Sequence, residues 1–204
     1  MISIVDYGLG NIRAFENIYR RLGIPAMPVK SAEQLSEASK IILPGVGAFD
    51  WAMQRLHESG MIDPLNDLVQ RQKVPVLGVC VGMQIMAKSS EEGRLPGLGW
   101  IDATVKKFDE SLLNQYAQVP HMGWNEVDVS NTCPLFSGIE NPLYYFLHSY
   151  FFEPTLKTDV IGYSNYNIKF ASAMACDNVY ATQFHPEKSH QWGIQLLKNF
   201  AELC

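Results

Sequence analysis

Three short strings hold residue types that covalent catalysis uses. The first is Gly78-Val79-Cys80-Val81-Gly82, a cysteine with a glycine two residues away on either side. It has the form of the nucleophile elbow, G-x-S-x-G, with sulfur in place of oxygen. The demand behind that form is steric. A nucleophile raised on a tight strand-to-helix turn leaves no room for Cβ atoms two residues before and after it. Such a turn also aims the sulfur at a helix N-terminus, where the dipole favours thiolate over thiol. Against this stands the ordinary fate of a free cysteine, which is to pack as a small buried hydrophobe. Taken alone, this string leaves both roles open.

A thiolate nucleophile needs a base and a group to orient the base. Gln183-Phe184-His185-Pro186-Glu187-Lys188-Ser189 offers both. His185 ends an apolar run, and strand ends are where sheet enzymes build their sites. Pro186 biases His185 towards extended backbone. Alternate residues of an extended segment share a side, so Glu187 is expected to accept a ring N–H of His185. By itself the string is also what a surface strand end would show. The third string, Pro44-Gly45-Val46-Gly47, follows another apolar run. Its glycines allow backbone N–H groups to turn into a cleft as an oxyanion hole, with the N–H of Val81 as second donor. An ordinary glycine turn would look the same.

These strings need a frame. Residues 2–5, 40–43 and 74–79 read as buried-type strands. Residues 50–59, 62–71 and 82–87 read as helices. Asn11 is placed to cap a helix with Ile12, Phe15, Ile18, Tyr19 and Leu22 at helical spacing, and Gly23 stands where a C-cap glycine belongs. Strand alternating with helix predicts an α/β fold with a mostly parallel sheet and helices on both faces. From residue 97 to 152 the pattern changes to glycines, prolines and alternating aromatics, which predicts shorter and partly antiparallel strands, among them 124–129 and 144–147. Residues 179–184 read as a further strand. Residues 191–203 read as a helix with Ile194, Leu197 and Phe200 on one face. No linker, repeat or low-complexity tract interrupts the chain, so residues 1–204 are expected to form one domain.

Bulk properties narrow the classes. The 204 residues are 47% hydrophobic and 18% charged, as in an ordinary globular protein. A net charge of −5 offers no nucleic acid or anionic membrane a basic surface. The four cysteines lack the paired spacing of a zinc site. No apolar run approaches the roughly 18 residues of a membrane span, and the N-terminus has no signal-peptide pattern. The expectation is a cytoplasmic protein with reduced thiols and no metal or organic cofactor.

The strings in this order, with IVDYGLGN, LPGVGAF, GVCVGMQ, SSEEG, VPHMGWN, FLHSY and QFHPEKS, resemble the class I, triad-type glutamine amidotransferases. Within them the chain is most similar to the family of glutaminase subunits of imidazole glycerol phosphate synthase. VPHMGWN and HSY discriminate best, since the elbow and HPE are shared more widely. Val81 departs from the family's leucine, with little consequence if the residue supplies a backbone N–H.

The resemblance implies a flavodoxin-like α/β fold and a Cys80, His185, Glu187 triad. Gly45, Val46, Gly47 and Val81 would form the oxyanion hole. Gln84 and Glu92, with backbone around Ser149 and Tyr150, would hold the amino-acid end of glutamine, leaving the neighbouring Glu91 as a solvated carboxylate. His121, Trp124, Asn125 and Lys188 would belong to the interface with a cyclase subunit, in a heterodimer that makes imidazole glycerol phosphate and an aminoimidazole carboxamide ribotide. The chain has no Walker-type loop to bind an acceptor, so the ammonia acceptor is expected on another protein. Two alternatives stay open. The same glutaminase chemistry serves amidino-sugar formation in relatives that residues 49–53 and the 13–22 helix also resemble. A non-catalytic flavodoxin-like binding module would leave Cys80 merely packed.

Overall fold

The computed structural model describes residues 1–112, 118–129 and 133–204. The chain opens with β1 (Ile2–Val5), α1 (Ile12–Leu22), β2 (Ala26–Val29), α2 (Ala32–Leu35), β3 (Lys40–Gly45), α3 (Phe49–Glu58) and α4 (Ile62–Asn66). β4 (Val76–Cys80) runs directly into α5 (Val81–Gln84). The short β5 (Ser89–Ser90), then β6 (Ala103–Lys107), β7 (His121–Glu126), β8 (Asp128–Val129), β9 (Leu143–His148), β10 (Tyr150–Pro154), β11 (Val160–Tyr166), β12 (Ile168–Cys176) and β13 (Val179–Thr182) follow, and α6 (His190–Leu203) closes the chain.

Among the described residues the main sheet runs β2-β1-β3-β4-β13-β12-β10-β6-β5, with β11 and β8 attached beside β12. β2, β1, β3, β4 and β13 are mutually parallel, the pairings through β12, β10 and β6 are antiparallel, and the short β5 runs parallel to β6 at the far edge. The parallel strands are covered on both sides, which is why β1 and β4 are buried along their whole length and read as continuous apolar runs. The β1-α1-β2 crossover moves one way across the sheet, and β2-α2-β3 and β3-α3-α4-β4 move the other. Right-handed crossovers therefore place α1 on one face and α2 to α4 on the opposite face. The contacts agree: α1 meets α6, α2 meets α4, and α3 meets α5. A separate antiparallel ribbon, β7 with β9, stands beside the carboxyl ends of the parallel strands. No helix is long and apolar enough to cross a membrane among the described residues.

Several local expectations are corrected. Asn11 precedes α1 but its side chain makes no capping hydrogen bond, whereas Gly23 does close the helix in the left-handed region at φ 69°. The predicted 62–71 helix is α-helical only through Asn66 and continues as a π-turn over Asp67–Arg71. The helix after the elbow stops at Gln84. The 124–129 segment is two strands separated by Val127. Ile194 is exposed, not part of the inner face of α6. β2 and α2 carried no sequence prediction. β2 lies at the sheet edge, where Pro28 is tolerated because no further strand needs its missing N–H.

Candidate active site

β3, β4 and β13 are adjacent, and their carboxyl ends meet at one place. Gly45 pairs across from Cys80, and Val79 across from Thr182. The strand order therefore carries Pro44–Gly47, the elbow and the His185 segment to a single rim, next to the point where the strand order reverses.

The elbow is strained as its form demands. Cys80 has φ 56° and ψ −112°, a combination that side-chain-bearing residues seldom adopt. The flanking glycines are needed for clearance. A Cβ on Gly82 would stand 1.9 Å from the Leu43 carbonyl oxygen, and one on Gly78 would meet Met86 at 2.6 Å and the Gly82 carbonyl oxygen at 2.9 Å. Gly45 is equally close-packed, its Cβ position lying 2.5 Å from the Gly82 nitrogen. Cys80 is buried, with its sulfur 3.9 Å from the Leu147 carbonyl and 3.9 Å from Gln183 Nε2.

His185 and Glu187 are brought together, though not by extended backbone. His185 is extended, while Pro186–Lys188 form a 3-10 turn that swings the carboxylate back to the ring. Glu187 Oε1 accepts from His185 Nδ1 at 2.9 Å, so the other ring nitrogen is left for the sulfur. Burial opposes charge on His185. The Cys80 sulfur, which also hydrogen-bonds the ring, and the Glu187 carboxylate outweigh that cost, and the imidazole is held charged above the ordinary histidine range. The segment is pinned by Ser189, whose hydroxyl donates to the His185 carbonyl at 2.6 Å and accepts from the Tyr145 N–H at 3.0 Å. The His185 N–H donates to the Tyr145 carbonyl. The imidazole-bearing segment is thereby fixed to the β7–β9 ribbon.

One cavity of about 270 Å³ is lined by Val46, Gly47, Cys80, Val81, Gln84, Glu92, Pro120, Leu147, His148, Ser149, Tyr150, His185 and Lys188. Of the residues singled out in the sequence, Gly45 lies just behind this wall, and Gly47 turns the loop at φ 93°. Glu92 accepts from the Phe49 N–H at 2.8 Å, at the start of α3. Its acidity is weakened mainly by burial, opposed by that N–H and assisted by Asp50. Asp50 holds the loop bearing Glu92 by accepting from the N–H groups of Arg94 and Leu95. Glu91 is exposed and accepts from the Lys107 N–H.

His121, Trp124 and Asn125 lie outside the cavity lining, on β7. The ribbon is two-faced. Met122, Trp124 and Leu147 are 65%, 43% and 38% exposed on its outer side, while His121, Phe146 and His148 are buried on the inner side. Trp124 stacks on His190 with ring centroids 5.2 Å apart, and Lys188 sits over the Tyr145 ring. The chemistry-bearing residues without a role in the sequence reading are Tyr7, Asp50, His148, Gln183 and Ser189. Each lies inside a quoted string or next to one, but a single chain does not show which side chains a fold will turn inward. Among the described residues no group of three or more His, Cys, Asp or Glu is placed to hold a metal ion.

Comparison with known proteins follows the same line. The family model for glutamine amidotransferase class-I matches residues 3–203. The chain is 54% identical over all 204 residues to a protein of Bdellovibrio bacteriovorus named imidazole glycerol phosphate synthase subunit HisH, and 51% identical to the protein of that name from Leptospira interrogans, in both cases over 100% of each chain. A solved structure described as a glutamine amidotransferase superposes with a TM-score of 0.75 at 21% identity, covering 98% of this chain and 97% of that one.

Proposed function

The chain belongs to the class-I glutamine amidotransferases, and from that premise we propose that it is the glutaminase subunit of an imidazole glycerol phosphate synthase, acting in histidine biosynthesis. One observation carries the chemistry: Cys80 on its strained elbow, with the His185–Glu187 pair against the sulfur, facing a single cavity.

The Cys80 thiolate attacks the side-chain amide carbon of glutamine and a C–S bond forms. Charge develops on the amide oxygen, and the Val81 N–H with that of Val46 or Gly47 receives it. The C–N bond then breaks while protonated His185 gives its proton to the departing nitrogen, releasing ammonia. Water attacks the γ-glutamyl thioester, His185 takes a proton from it, and glutamate leaves with the thiolate restored. Glu187 holds the ring in the required tautomer and balances its charge. Gln84, Glu92 and the Ser149–Tyr150 backbone hold the amino-acid end of the substrate.

Ammonia passes to a cyclase subunit in a heterodimer. The outer face of the β7–β9 ribbon suits that contact: it is exposed, largely apolar and borders the cavity through Leu147. Trp124 and Lys188 meet the partner directly, and His121 and Asn125 support the face from beneath. The site of action is the cytoplasm, where the four free thiols stay reduced.

The test is Cys80→Ala in the complex reconstituted with the synthase subunit of the same source. Glutamine-dependent synthesis is expected to be lost and ammonia-dependent synthesis retained. An electrophilic glutamine analogue that left Cys80 unlabelled in the assembled complex would sink the enzyme reading.

A further inference from the structure

Gln183 has no part in the steps above, yet it touches the reacting sulfur. It is fully buried. Thr182 pairs across from Val79, so the next residue on that strand comes level with Cys80. Its Nε2 lies 3.9 Å from Cys80 Sγ. A buried amide can present either a donor or an acceptor, and what its other end meets decides which.

The Tyr150 carbonyl starts the deduction, because it can only accept. His148 Nδ1 lies 2.7 Å from it and Gln84 Nε2 3.1 Å, so both donate. Gln84 Nε2 donates its second hydrogen to Gln183 Oε1, at 3.1 Å. The oxygen of Gln183 is thereby committed, and the NH₂ end faces the sulfur. The same logic runs outward. His148 Nε2 must accept, which makes His121 Nδ1 the donor at 3.1 Å. His121 Nε2 then accepts from Asn125 Nδ2 at 3.3 Å. Reversing the Gln84 amide would set oxygen against oxygen at Tyr150.

We propose that Gln183 is a catalytic residue whose amide N–H donates to the Cys80 sulfur and stabilises the thiolate, and that Gln84, itself held by the Tyr150 carbonyl, locks it in the donating orientation. The proposal rests on Cys80 being the nucleophile. It gives the glutamine of the QFHPE string a chemical task, and it ties the sulfur's environment to the ribbon that carries the exposed apolar face.

The experiment is the rate of Cys80 alkylation by iodoacetamide, followed by peptide mapping on the full chain between about pH 6 and 9. The titratable groups closest to the sulfur are His185 and Tyr7, with Glu92, His148 and Lys188 lining the same cavity, and all are kept. Gln183→Met preserves volume and removes the donor. At pH 7 it is expected to slow alkylation roughly tenfold, with the wild-type rate recovered at higher pH, because a donor to an ionised sulfur is lost. Gln84→Met leaves Gln183 in place and removes the lock. It is expected to slow alkylation about threefold, and it keeps the question answerable if the first variant does not fold. Wild-type rates at every pH in both variants would overturn the donor role alone. A wild-type Cys80 that resists both iodoacetamide and the glutamine analogue would overturn the glutaminase reading instead.

Discussion

His121 and His148 face each other across the ribbon, both buried and both neutral. Burial pushes His121 down to about 4. His148 is pushed down to about 3 by burial, then by His121 and His185, against the opposing pull of the Tyr150 carbonyl. In the unfolded chain each titrates near 6.5. Below that pH the unfolded state binds more protons than the folded one, so stability is full above about 6.5 and is lost as pH falls towards about 4. Urea unfolding midpoints measured between pH 7 and about 4.5 are expected to fall on acidification. His148→Phe removes one of the two contributions and should flatten that slope, and an unchanged slope would count against neutral burial of this ring. These two histidines stand in VPHMGWN and FLHSY, strings legible in the sequence. Their mutual bond was not legible, because it needs β7 and β9 paired with His121 across from His148.

The elbow is where strand, turn and helix constrain one another most tightly. Gly82 sits against the Leu43 carbonyl of β3, a backbone atom that cannot retreat without breaking the sheet. The closest neighbour of Gly78 is the flexible end of Met86. Gly82→Ala is therefore expected to cost about 3 kcal/mol or more of folding stability, and Gly78→Ala about 1–2 kcal/mol, in thermal or urea unfolding. Equal costs would mean that β3 does not press on the turn. The glycine spacing was readable as a steric requirement, but at Gly82 the atom that imposes it belongs to a strand nearly forty residues away. The same holds for the His185–Glu187 pair. Proline and spacing predicted a shared side through extended backbone, and a 3-10 turn achieves it by another path. β2 went unseen because it is a half-buried edge strand interrupted by Pro28, and α2 because a single helical turn carries too little periodicity to register.

Over the whole molecule, the rim that carries Cys80 and His185 and the outer face of the β7–β9 ribbon are neighbours, joined by Leu147 and Lys188. On the proposed function, this arrangement lets ammonia leave towards the acceptor and not into solvent. Trp124 is the large aromatic of that face and is well exposed, so its removal costs the fold little. Trp124→Ala is expected to leave the melting temperature within a few degrees of wild type while weakening association with the synthase subunit roughly tenfold to hundredfold by calorimetric titration. Undiminished affinity would move the docking face elsewhere on the molecule.

Local chemistry was determined by the sequence: a cysteine between clearance glycines, a histidine with a carboxylate two residues on, and apolar runs of strand length in an alternating order. Those features depend on neighbours within a few positions, where steric and dihedral rules act directly. Convergence was decided only in three dimensions. The parallel order β3-β4-β13 sets Gly47, Cys80 and His185 on one rim, and the ribbon pairing sets His121 against His148. Burial then fixes which end of each amide and ring can donate, because an unmatched polar pair has no water to turn to. That is why Gln183, silent in the sequence, faces the sulfur with its N–H in the folded chain.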